Sequence, residues 1–147
     1  MPFRLEIVTA ERIVMSEDVD QVNVPGISGR MGILARHEPL LTTLIPGEMT
    51  IVKNNERIPF AVSGGFMEVL PDRVTILADT AERADEIDEA RAEAARRRAE
   101  EMMRERRSDQ EMLIAESQLR RAMVRLAVAR LKRGGRRVGP GGGLGED

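Results

Sequence analysis

The chain has 147 residues, enough for one domain with an appendage or for two small domains. It contains no Cys and one His, which excludes disulfides, thiolate chemistry, Cys-ligated metals and any multi-His metal site. With no Trp, no Tyr and three Phe, it also lacks the stacking platforms that single-stranded nucleic-acid binders use.

The net charge of −2 hides a split. Residues 1–81 carry 7 basic and 11 acidic groups, whereas residues 82–133 carry 14 basic and 12 acidic ones. No apolar run approaches the roughly 18 residues that a membrane-spanning helix needs. The opening "MPFRLEIVTAER" has no apolar signal-peptide core. The chain is expected to be neither inserted nor exported, though it can dock on something that is.

Residues 1–81 read as β-structure. Runs rich in Val, Ile and Thr alternate apolar and polar positions: "FRLEIVT", "DVDQVNV", "EMTIV", "RIPFAV", "FMEVL", "RVTILA". Period two sets Phe3, Leu5 and Ile7 on one face and Arg4 and Glu6 on the other. Turn signals separate the runs, among them Pro25-Gly26, Pro46-Gly47, Asn54-Asn55 and Pro71-Asp72. Gly64-Gly65 precedes a strand and predicts a turn or bulge. Short strands at this spacing imply a sandwich or barrel.

The composition then changes. No Gly occurs from residue 66 to 133, and Glu, Arg, Ala, Met and Leu dominate from residue 82 onward. A helix is predicted over 86–106, with Asp85 as N-cap and acids in its first turn. Ser108 and Glu111 have capping-box spacing and predict a second helix reaching Lys132. Met112, Ala115, Leu119, Ala122, Leu126 and Ala129 form its apolar stripe, matched by Ala92, Ala95, Ala99 and Met102 on the first helix. Joined by a short turn, they predict an antiparallel helical hairpin with close, Ala-mediated approach. Residues 134–147 contain seven Gly and are expected to be disordered.

Few residues suit bond chemistry. His37 stands alone, no glycine-rich phosphate loop of Walker spacing occurs, and most carboxylates fall on solvated faces. Catalysis by this chain alone is not expected. The second helix is unusual, because no acid follows Glu116 while Arg120, Arg121, Arg125, Arg130, Lys132 and Arg133 accumulate. Met123, Val124, Val128 and Leu131 add apolar surface outside the stripe, and a two-helix hairpin cannot bury two faces of one helix. This segment is expected to lie against more than one surface, at least one of them acidic. "IDEARA" (87–92) is open to two readings: a well-charged helix start, or an Asp88/Arg91 pair on one face that holds a ligand.

A β-domain followed by a basic hairpin resembles the epsilon subunits of bacterial rotary (F-type) ATP synthases. The likeness covers about residues 3–133 and rests on "MGIL" (31–34), "HEPLLTTLIPGE" (37–48), "AVSGGFMEV" (61–69), "VTILADTAER" (74–83) and "IDEARA". The resemblance implies an antiparallel β-sandwich of about ten strands over 1–84, a helical hairpin over 85–133 and a tail over 134–147. It implies a non-catalytic rotor subunit of a proton-transporting complex, held at the cytoplasmic face of the membrane. The sandwich would bind the gamma subunit and rest on the ring of c subunits, with Arg30, Met31 and His37 at the ring contact. The hairpin would fold down on the sandwich or extend to the alpha and beta subunits and inhibit ATP hydrolysis through Arg120, Arg121, Arg125 and Arg130. No cofactor is required. Regulatory ATP, where relatives bind it, would meet Glu82, Ile87, Asp88, Arg91, Ala92, Arg121 and Arg125.

Two positions depart from the family's pattern: Ala35-Arg36 precede His37 where Pro-Gly is usual, and Arg30 stands where an acid is often found. A free nucleotide-sensing module remains an alternative, as does a nucleic-acid adaptor built on the basic helix. Few aromatics, near-zero net charge and Ala-rich packing on the same helix count against the adaptor.

Overall fold

Side chains alternate along the first strand as period two requires. In β1 (Phe3–Val8), Phe3, Leu5 and Ile7 are buried and Arg4 is exposed. The computed structural model describes residues 1–105 and 108–131. The strands continue as β2 (Ile13–Val19), β3 (Gln21–Gly26), β4 (Gly29–Ile33), β5 (Leu40–Lys53), β6 (Glu56–Leu70), β7 (Arg73–Ala78) and β8 (Ala81–Arg83). Their ladder order is β2-β1-β7-β6-β5-β3-β4, with β8 paired to β6.

The ladder therefore has eight strands where about ten were expected. The reason lies in β5 and β6, which are 14 and 15 residues long and run through both layers of the sandwich. One half of β6 pairs with β7 and the other with β8. Counting the halves as separate strands accounts for the higher number. At the bend the register is kept, with Leu44 facing Gly65 and Pro46 facing Ser63, while Ile45 and Gly64 drop out of the ladder. Gly64 and Gly65 take φ of +113° and +141° there, and a Cβ on Gly65 would lie 2.1 Å from the Leu77 carbonyl oxygen. Gly64-Gly65 therefore form neither the predicted turn nor a bulge with an inserted residue; they lie within β6, where positive φ bends the strand at the corner of the sandwich. One pairing, β1 with β7, is parallel rather than antiparallel. These strands are far apart in sequence, and no tight hairpin dictates their direction.

The core lies between the layers. Leu5, Ile7, Ile33, Met49, Ile51, Phe60, Met67 and Ile76 are fully buried. Each such side chain contributes about 1.5–3 kcal/mol relative to exposure. The β5–β6 hairpin closes on Asn54-Asn55 with φ of 53° and 64°, the two left-handed residues of a type I′ turn.

A short 3-10 turn (Ala84–Glu86) leads to α1 (Glu89–Arg104) and α2 (Asp109–Leu131). The first helix starts later than the sequence predicts. Its N-cap is Asp88, whose carboxylate accepts from the Arg91 N–H at 3.1 Å, and Asp85 lies in the 3-10 turn. Ile87, 4 % exposed, is drawn into the seam beneath the hairpin, and this holds the chain out of helical conformation until Asp88. The second cap is as predicted. The Glu111 N–H donates to Ser108 Oγ at 3.2 Å, and the Ser108 N–H donates to Glu111 Oε1 at 3.2 Å. The predicted helix end at residue 106, residues 132 and 133, and the 134–147 tail lie outside the described residues.

Charge on α1 is largely satisfied within the helix. Arg96 donates to Glu93 and, at 2.8 Å, to Glu100. The hydrogen bond from Arg96 holds the Glu93 carboxyl below its usual pKa. The two helices meet along the predicted stripes, with Ala92, Ala99, Ala115, Ala122 and Leu126 buried. The second apolar face of α2 turns to the sandwich, where Val124, Val128 and Ala129, the last residue of the predicted stripe, pack with Ala61, Ala84 and Ile87.

Arg36 occupies the position where the resemblance leads one to expect Gly. Its φ is +64°, so the left-handed turn is kept without the residue that adopts it freely. The backbone is fixed by the Arg36 N–H donating to the Pro71 carbonyl at 2.9 Å. Left-handed geometry costs an L-residue about 1–2 kcal/mol, and Gly adds back an entropic cost of about 0.5–1 kcal/mol. Arg36→Gly is therefore expected to raise the melting temperature by about 2–4 °C. A scan showing an equal or lower Tm would contradict the strain assigned to this turn.

Candidate functional site

The hairpin does not cover the sandwich evenly. Near Ala61 the seam is tight; beside it, the overhanging helices leave a cleft of about 930 Å³. Thr9–Arg12 of the β1–β2 turn and Asp79–Glu82 form the sandwich wall, and Ala95, Arg98, Met102, Gln118, Arg121, Ala122 and Arg125 form the hairpin wall. The volume falls in the range of small-molecule sites.

One ion pair spans the cleft. Arg125 donates from Nε to Glu82 Oε1 at 2.7 Å and from Nη2 to Glu82 Oε2 at 3.1 Å. This fork joins α2 to β8 across 43 residues, and both side chains are about two-thirds buried, at 30 % and 33 % exposure. Bidentate geometry and partial desolvation put it at the upper end of ion-pair strength. Arg121 lies one turn earlier and donates to Ser117 Oγ at 2.9 Å. Arg98 lines the same cleft with no ion pair among the described residues.

The sequence-predicted nucleotide residues divide into three groups. Glu82, Arg121 and Arg125 come together in the cleft. Ile87 and Ala92 are buried, and Asp88 caps α1. Arg91 is exposed and does not line the cleft; its N–H, rather than its guanidinium, engages Asp88. Arg98 and Arg12 were passed over. Arg98 follows Ala95 by three and precedes Met102 by four, so the helix period could have flagged it. No sequence signal places Arg12 there.

Of the Arg residues expected to contact catalytic subunits, Arg120 is exposed and unpaired among the described residues. Arg130 pairs with Glu89 at 3.5 Å, and Arg125 is held by Glu82. At the expected ring contact, Arg30 and Met31 line a shallow polar groove with Gln21, Asn23, Glu48 and Arg57, and Arg30 Nη1 donates to the Glu48 carbonyl at 2.8 Å. His37 lies beyond the other end of β4, its Nδ1 2.7 Å from the Glu38 carbonyl oxygen. The outer face of the other layer carries an apolar patch beside Glu68. Phe66 stands between Thr43 and Leu77 across the ladder, and Leu41, Ile45, Phe66 and Leu77 are 72 %, 42 %, 54 % and 53 % exposed. Among the described residues no helix is long and apolar enough to cross a membrane, and no cluster of metal-ligating side chains occurs.

An eight-stranded sandwich with a helical hairpin latched on one face is a two-part scaffold, with sites on its surfaces rather than in its core. Residues 2–84 match the family described as ATP synthase, Delta/Epsilon chain, beta-sandwich domain. Residues 85–130 match ATP synthase, Delta/Epsilon chain, long alpha-helix domain. The ATP synthase epsilon chain of Herpetosiphon aurantiacus is 66 % identical over 133 residues, covering 90 % of this chain and 98 % of the relative. That of Chloroflexus aggregans is 65 % identical over 131 residues, covering 89 % and 94 %. The chain belongs to the delta/epsilon chain family of ATP synthase, as an epsilon chain. In fold it is similar to a chain of the Euglena gracilis mitochondrial ATP synthase OSCP/F1/c-ring assembly, with TM-score 0.76, 22 % identity, and coverage of 88 % and 81 %. A chain of the Tetrahymena thermophila mitochondrial central stalk and c-ring gives TM-score 0.59 at 14 % identity, with coverage of 88 % and 97 %.

Glu82→Ala removes the fork without touching the hairpin seam. A partly buried bidentate pair is worth about 1 kcal/mol, so amide exchange in the last three turns of α2 is expected to rise about fivefold. Exchange in β1 and β7 should not change. Unaltered exchange in α2 would show that the apolar seam alone holds the hairpin.

Proposed function

We propose that this chain is a central-stalk subunit that couples the membrane ring to the catalytic head and restrains ATP hydrolysis through its hairpin. It makes and breaks no bonds itself. The exposed Leu41, Ile45, Phe66 and Leu77 face is the kind of apolar patch that a permanent partner covers, and we assign it to the gamma subunit. The groove at Arg30 and the loop at His37 are the candidates for the c ring. The protein is then peripheral, held at the cytoplasmic face of the membrane by the complex.

One observation carries the regulatory half: the Glu82–Arg125 fork that ties α2 to the sandwich. It is short, charged and at the edge of solvent, so another acidic group can replace Glu82. Extended along the stalk, α2 would offer Arg120, Arg121, Arg125 and Arg130 to an acidic segment of the catalytic subunits. ATP would favour the folded hairpin by binding the cleft that only the folded form encloses, without being hydrolysed. Arg98, Arg121 and the outer edge of Arg125 are available for phosphate oxygens.

Arg120 separates the two roles, because it has no partner among the described residues in the folded form. Arg120→Ala should leave the folded form intact and raise ATP hydrolysis by the assembled complex. Combined with Arg121→Ala, Arg125→Ala and Arg130→Ala, it is expected to raise hydrolysis about tenfold, the equivalent of about 1.4 kcal/mol. Unchanged hydrolysis in the quadruple variant, with assembly intact, would sink the inhibitory reading.

A further inference from the structure

A ligand shifts a conformational balance only by its different affinity for the two states. One gripped by hairpin residues alone would gain little from the hairpin being docked. To hold the hairpin down it must also be held by the sandwich. The sandwich wall of the cleft carries Glu11, Arg12, Asp79 and Glu82. Three of these repel phosphate, and Glu82 already occupies Arg125. Among the described residues of that wall, Arg12 is the cation.

We propose that Arg12 is the sandwich-side phosphate ligand of this cleft, and that through it a bound nucleoside triphosphate bridges β1–β2 to the hairpin. This rests on the reading that the cleft takes ATP. The turn that presents Arg12 is already ordered. The Thr9 N–H donates to the Arg12 carbonyl at 2.9 Å, and the Arg12 N–H donates to Thr9 Oγ1 at 3.4 Å. The backbone is thus fixed while the guanidinium makes no ion pair or hydrogen bond among the described residues. Ordering of the turn is complete before the ligand arrives, so less freedom is lost on binding. Arg12 lines the same cleft as Arg98 and Arg121 of the hairpin wall. Guanidinium groups on both walls can share one triphosphate, whose extended chain of oxygens reaches further than a single phosphate. The bridge explains how occupancy acts on the hairpin: it adds a second tie beside the Glu82–Arg125 fork, one that is lost when the hairpin leaves.

The test is calorimetry on the full chain with ATP and with inorganic tripolyphosphate, for the native protein, Arg12→Ala and Arg12→Lys. Arg12→Ala is expected to weaken both ligands about tenfold, and Arg12→Lys to recover part of the loss as a point charge. Without ligand, Tm and circular dichroism should match the native chain, since the side chain makes no bond to lose. At saturating ATP, amide exchange in α2 should slow less in Arg12→Ala than in the native chain. Native ATP affinity in Arg12→Ala overturns the assignment while leaving the nucleotide reading intact. Full native protection of α2 in that variant at saturation overturns the bridge. A native chain that gives no ATP heat up to millimolar levels overturns both the assignment and the reading beneath it.

Discussion

Helix α2 has apolar side chains on two faces, and a helical hairpin has only one internal seam. The face of Ala115, Ala122 and Leu126 closes on α1. The face of Val124 and Val128 must find something else, and here it finds Ala61, Ala84 and Ile87 of the sandwich and its edge. Small residues on both sides make this second seam close but narrow. Any partner with a comparable apolar strip can compete for the same face.

Charge is distributed in the same spirit. On α1 the pairs are intrahelical, as with Arg96 between Glu93 and Glu100, and they need no partner. On α2, Arg125 reaches Glu82 and Arg130 reaches Glu89, while Arg121 donates to Ser117 of its own helix and Arg120 has no partner among the described residues. Apart from Glu89, which meets Arg130 of α2, the ion pairs of α1 among the described residues are intrahelical, whereas Arg125 and Arg130 of α2 reach acids on other elements. Under the proposed function, this basic end exchanges one set of acidic partners for another when the hairpin extends.

Much of this was readable in the residues, because short-range physics decides it. Alternation in "FRLEIVT" gave the inward face of β1, the Ala stripes gave the helix seam, and Ser108 with Glu111 gave the start of α2. Tertiary effects decided the rest. Asp85, Glu86 and Asp88 all suit a helix N-terminus; the burial of Ile87 selects Asp88. The strand count depended on whether β5 and β6 break or bend at the corner, and pairing on both sides of Gly64-Gly65 lets them bend. The cleft was legible only in part. Arg121 and Arg125 fall four apart on a helix, whereas Arg12 is one Arg among 21 and reaches the cleft only through the β1–β2 turn.

The seam and the Glu82–Arg125 fork make the docked hairpin the expected resting form of the free chain. The absence of native Cys allows two unique spin labels, at Ser28→Cys in the exposed β3–β4 turn and Ala127→Cys on the exposed side of α2. A pulsed electron–electron distance measurement on the isolated chain without nucleotide should then give one narrow distribution at the docked separation. A broad distribution, or one centred at the longer separation of a detached hairpin, would contradict the central claim.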